Sequence, residues 1–260
     1  MIDPESPCSA GRELRTRYTT ADLSVFTAEE ARRFVPDGDG DPRTDMVLAW
    51  ELLYRLEPDL YDQLASAERL HPGILGWLAR FAGLIVDVGA GTGRLTLQLV
   101  GPGREVVAIE PAAPLRQTLE RKLADAGHSG VRVLYGFFDD LPLPAGCADL
   151  VVACSAFTPS SAHGGDAGLS EMERVCKQGG CVAIVWPNNV RWLIARGYEY
   201  VSFDGPMAVE FPSREKAAEL SDIFYPHAAS KVRADGLRRV PFELVGMNPP
   251  RDLAYKFLPR

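Results

Sequence analysis

Residues 84–94 read LIVDVGAGTGR. Four apolar residues (Leu84, Ile85, Val86, Val88) run into glycines at alternate positions, Gly89, Gly91 and Gly93, with Ala90 between the first two. A helical pattern starts at Leu95. A strand, a glycine turn and a helix in that order set a ligand against main-chain N–H groups and the positive end of the helix. Alternate glycines also remove the Cβ atoms that would hold a ligand at a distance. The dinucleotide fingerprint needs its third glycine at position 94, which is Arg94. The next apolar run, Val106–Ile109, ends on Glu110. That places a carboxylate at the C-terminal tip of a second strand, where parallel sheets meet their ligands. There it can accept hydrogen bonds from both ribose hydroxyls of an adenosine-type cofactor. On this spacing alone a nicotinamide enzyme stays open.

From residue 84 the chain alternates as parallel α/β sheets do. Strands are expected at 84–88, 105–110, 131–135, 148–154 and 181–186, with helices at 93–100, 112–126 and 166–177. The preceding stretch is helical in pattern, at 28–35, 43–56, 58–69 and 72–81, with DGDGDP (37–42) as a loop. Pro58 and Pro72 suit first helical turns. Residues 188–238 hold helical stretches (189–196 and 213–224) around the extended-looking YEYVSF. VPFELVG and LAYKFLP then read as two strands joined by the Pro-rich MNPPRD.

Apolar residues make up 46% of the 260 and charged residues 24%, ordinary values for a globular enzyme. The net charge of −7 is spread along the chain and leaves no nucleic-acid footprint. Five cysteines form no C-x-x-C pair and no metal-ligand spacing with the four histidines. The opening MIDPESPCSAGRE lacks a signal pattern, and no run reaches membrane-spanning length. A cytoplasmic protein without membrane or metal is the expectation.

The pattern D-V-G-A-G-T-G with Glu110 downstream resembles the class I S-adenosylmethionine-dependent methyltransferases, most closely their small-molecule branch. YGFFDDLPLP (135–144) is similar to the family's acidic loop beside the adenine, with Phe137 where an acid usually follows the glycine. ADLVVACSAF (148–157) is similar to its fourth-strand motif, and GLSEMERVCKQGGCVAIVWPNN to the helix, turn and fifth strand that follow. TPSSAHGGDAG (158–168) departs from the branch and reads as a longer, more flexible loop. The resemblance implies a Rossmann-like seven-stranded sheet with helices on both faces and a C-terminal antiparallel hairpin, plus a helical N-terminal cap. The expected division is a cap at 1–81, a cofactor-binding core at 82–187, an insertion covering the substrate at 188–238, and a hairpin at 239–260 completing the sheet.

The implied cofactor is S-adenosyl-L-methionine, with contacts from Asp87, Gly89, Ala90, Gly91, Gly93, Glu110, Pro111, Phe138, Asp139, Asp140, Cys154 and Ser155. Asp87 either fixes the cofactor's amino-acid end or braces the glycine turn. His163, followed by Gly164 and Gly165, is the candidate general base, and Asp166 is expected to cap the next helix. Arg94 reads as a solvated surface residue or a carboxylate partner. Tyr54, Tyr61, His71, Tyr198, Tyr200 and His227 are further acceptor-side candidates. Asn248-Pro249-Pro250 is similar to the N-P-P motif of amino-group methylases, but it falls in the predicted hairpin and reads as a turn. The implied partner is a small-molecule acceptor, with oligomeric state open. Methylation of RNA or protein, or cofactor binding without catalysis, are the alternatives.

Overall fold

The computed structural model describes residues 11–35 and 40–260. Expectations for the first ten residues and for the first half of the DGDGDP loop lie outside these. The strands, in chain order, are β1 (Gly83–Val88), β2 (Arg104–Ile109), β3 (Val131–Leu134), β4 (Ala148–Cys154), β5 (Cys176–Val185), β6 (Glu199–Ser202), β7 (Ala208–Glu210), β8 (Arg239–Pro241) and β9 (Asp252–Phe257). Among the described residues two compact units are formed. One comprises residues up to Arg69 with Pro206–Pro249, the other Leu70–Gly205 with Pro250–Arg260.

The second unit carries a seven-stranded sheet in the order β3-β2-β1-β4-β5-β9-β6. Its first five strands run parallel, with β1 between β2 and β4. Strand order reverses there, which in doubly wound sheets opens the ligand crevice at the C-terminal tips. β9 pairs antiparallel with β5 on one side and with β6 on the other. The strands are apolar because both faces are covered. Side chains alternate along β1, so Val86 and Val88 join Val151, Ile184 and Leu169, Met172 and Val175 of the helix Gly165–Val175. On the opposite face Ala108 packs with Leu119 and Leu123 of the helix Ala113–Asp125.

The sheet is the one the resemblance implies, and its terminal antiparallel pair is present with a different partner. β9 does not turn back on residues 240–246. Its outer neighbour is β6, within YEYVSF, whereas Val240 sits in β8 and pairs with Val209 of β7 in a separate two-stranded sheet. The reason is burial. Leu253 and Ala254, fully buried, fill the place beside β5, and the pairing of Val201 with Leu253 extends that edge.

The first unit is mainly helical: Ala28–Phe34, Met46–Leu56, Pro58–Ala67, Arg214–Phe224 and Pro226–Ala234, with β7 and β8. Its interior holds Arg55, whose guanidinium donates to Glu30 at 2.8 Å and Glu51 at 2.6 Å beneath the rings of Phe26 and Phe34. A cation this deeply buried is tolerable because two carboxylates compensate it. Among the described residues no helix is long and apolar enough to cross a membrane.

Candidate functional site

At the tip of β1 the three glycines take φ of 72°, 55° and 93°, conformations in which a side chain is strained. A Cβ on Gly93 would also come within 2.5 Å of Leu119, and one on Gly89 within 2.9 Å of Phe138. The turn does not, however, present a row of bare N–H groups. Gly89 and Ala90 donate to the carbonyl of Ile109, Gly93 donates to that of Ala90, and Gly91 donates to Glu110 Oε2 at 2.9 Å. The expected helix is also short, only Thr96–Leu99, so it adds little dipole.

What the turn holds instead is a carboxylate. Glu110 follows β2, is 6% exposed, and accepts from Gly91 N–H through one oxygen and from Ala112 N–H (2.9 Å) through the other. Two charge-assisted bonds to main chain fix its plane. Pro111 next to it is half-buried.

Asp87, one residue before the end of β1, lies on the sheet face opposite to Val86 and is completely enclosed. Its Oδ2 accepts from Thr96 Oγ1 at 2.6 Å, and its Oδ1 has no partner. Burial pushes its carboxyl up to about 7, opposed by the bonds from Thr96. Thr92 Oγ1, in the glycine turn, is likewise buried without a partner.

Cys154 ends β4. Ser155 then takes φ 55°, and Trp186, immediately after β5, takes φ 52°. For non-glycine residues such conformations cost about 1–2 kcal/mol each, and adjacent strand tips carry both. Arg94 reaches the second of them, its guanidinium 5.4 Å from the Trp186 ring centroid. No sequence signal marks Ser155 and Trp186 as a left-handed pair.

Phe138 is turned inward, edge-to-face with Phe157 at 4.7 Å and packed with the β4 core, while Asp139 and Asp140 are exposed. The loop 158–165 is tied down, not loose. Thr158 N–H donates to His163 O, His163 N–H to Ser160 O, and Gly165 N–H to Thr158 O. A Cβ on Gly164 would strike the Phe157 ring, so that glycine serves packing and is not a hinge for His163. Asp166 is not the helix cap, which is Gly164. It lies in the first turn, paired with Arg196.

Several acceptor-side candidates have structural duties. His71 caps the helix Pro72–Leu78, accepting from Gly73 N–H, and stacks on Phe203. Tyr198 is 3% exposed, Tyr200 donates to Asp252, Tyr54 and Tyr61 meet edge-to-face, and the His227 ring lies against Gly246. Asn248-Pro249-Pro250 lies outside the named strands, short of β9.

Residues 85–180 match the family model of a methyltransferase domain. This segment is similar to methyltransferase domains. An uncharacterized methyltransferase of Mycobacterium tuberculosis is 31% identical over 119 residues, 44% of each chain. One from Geobacillus thermodenitrificans is 30% identical over 138 residues, covering 52% of this chain and 62% of the relative. The chain thus spans less than two thirds of the curated relatives it matches. The YcgJ protein of Bacillus subtilis aligns over 73% of this chain and 100% of its own, at 14% identity and a TM-score of 0.48.

Proposed function

We propose that the protein transfers a methyl group from S-adenosyl-L-methionine to a small or medium-sized metabolite. The observation that carries the reading is Glu110, a buried carboxylate at the tip of β2 whose two oxygens are oriented by the main-chain donors Gly91 N–H and Ala112 N–H. That is the chemistry a ribose diol needs. The residues fit the amino-acid end as well, since the unpartnered Asp87 Oδ1 is a buried acceptor suited to an ammonium, while its Oδ2 braces the turn through Thr96.

When bound, the cofactor supplies a methyl group already activated on a sulfonium. The chain's task is then to hold, align and exclude water. In this reading Gly89, Ala90, Gly91 and Gly93 keep the crevice floor low, and Glu110 and Pro111 seat the ribose. Phe138 supports Gly89 from behind, and Asp139 and Asp140 rim the base. Cys154 and Ser155 bound the space beside the methyl group. His163, in a loop that its own main-chain bonds hold in place, would receive the acceptor's proton from a fixed position. The N-terminal helices and residues 188–238 are assigned to acceptor selection. The dispersed acidic balance supports an uncharged or small acceptor over RNA.

Calorimetry with S-adenosylhomocysteine and NADH tests the cofactor, and label transfer from methyl-labelled cofactor to a metabolite extract tests turnover. Binding of S-adenosylhomocysteine alone and a labelled small product are expected. NADH binding without S-adenosylhomocysteine binding would overturn the reading, and cofactor binding with no transfer would leave a binding protein.

A further inference from the structure

From the first turn of the helix Ala113–Asp125, Arg116 reaches back to the tip of β2. Its Nη1 donates to the main-chain oxygens of Glu110 and Pro111, both at 2.7 Å. The same guanidinium lies over the ring of Tyr135, 5.1 Å from its centroid. Tyr135 directly follows β3, and its side chain is 44% exposed beside Phe137, which meets it edge-on at 5.4 Å. The apolar cluster on this face of the sheet takes Val131 and Val133 from β3 and goes no further along it, so core packing gives no account of an exposed ring there. A planar aromatic surface is thus anchored at the strand tip next to Glu110, through an arginine bonded to Glu110's own carbonyl. The residue after Gly136, where the resemblance implies a carboxylate for the adenine amino group, is Phe137, only 5% exposed.

We infer that Tyr135, backed by Arg116, is the platform on which the cofactor's purine stacks, so that the base is held by its face instead of by a carboxylate at its edge. The inference rests on the S-adenosylmethionine reading given above. Stacking suits the geometry because every purine offers a π-face to an aromatic ring, and a guanidinium on that ring adds cation–π attraction. Arg116 is a positioning residue here. Locked to two carbonyls, it keeps the ring at the crevice edge before any ligand arrives.

Calorimetry on the full chain decides the matter, using S-adenosylhomocysteine and 5′-methylthioadenosine, which keeps the base and lacks the amino-acid end. Tyr135→Ala should weaken both ligands by about tenfold, about 1.4 kcal/mol, with an unchanged melting temperature. Tyr135→Phe should bind both within about threefold of the native protein, as stacking needs the ring and not the hydroxyl. Unchanged affinity in Tyr135→Ala, or a loss restricted to S-adenosylhomocysteine, overturns the platform and leaves the cofactor reading standing. Failure of the native protein to bind S-adenosylhomocysteine overturns both.

Discussion

The glycine turn after β1 and the glycine-containing loop after β4 look alike as strings and differ in what their glycines do. At 89–93 left-handed conformations wrap main chain around a carboxylate, so that Gly91 N–H and Ala112 N–H fix Glu110. At 164–168 the missing Cβ atoms make room for one ring, Phe157, which lies against both Gly164 and Gly168. The first turn orders a polar group toward the crevice, whereas the second closes a hydrophobic core beneath a loop. A glycine thus reports a spatial constraint, and only its neighbours say whether that constraint serves a ligand or the interior.

Substitution can break this contrast. The largest effect is expected at Gly93→Ala, where strain at φ 93° adds to the clash with Leu119. A loss of about 2–4 kcal/mol in urea unfolding, together with weakened S-adenosylhomocysteine binding, should follow. Gly164→Ala should lower stability comparably while any folded protein keeps its cofactor affinity. If Gly164→Ala weakens binding as much as Gly93→Ala does, the distinction fails. Glu110→Ala should come next, with at least tenfold weaker S-adenosylhomocysteine binding in calorimetry, in line with about 1.5–3 kcal/mol for hydrogen bonds to a charged group.

Asp87 gives a pH-dependent test of the ligand side. Its carboxyl is raised from 3.8 to about 7, so the folded protein favours the protonated form. Its contribution to stability is therefore full below about pH 4 and is lost as pH rises through 7. Melting temperatures of native protein and Asp87→Asn should diverge over that interval, with only the native protein losing stability. Parallel profiles would show that Asp87 does not titrate there. The smallest effect is expected from His163→Ala, which should slow transfer on an authentic acceptor and leave cofactor affinity within twofold. Full activity would remove His163 from the reaction.

The sheet's parallel half could be read from the chain because its signals are local. Apolar runs such as Val106–Ile109 end in turn residues, and all four of these positions are buried, as a strand covered on both faces requires. Glu110 was visible for the same reason. The partner of β9 was not, since pairing with β6 is set by burial next to β5 and no short-range pattern encodes it. The helix Pro226–Ala234 lies outside the expected elements, although Pro226 at its first turn and the alanines that follow are local helix signals. Main-chain bookkeeping in the glycine turn was hidden too. Sequence shows that N–H groups are uncovered by side chains, but not that Ile109 O, Ala90 O and Glu110 have already claimed them.

The place of β9 bears on the order in which the protein is made. Strand β6 reaches the sheet only through β9, and between them the chain leaves to build part of the other unit. On a ribosome, residues 199–202 must wait beside an unfinished edge until 252–257 emerge. During that interval β5 offers an open, apolar strand edge to any neighbouring nascent chain. The proposed methyl-donor crevice at β1 and β4 belongs to the half of the sheet that needs no such delay.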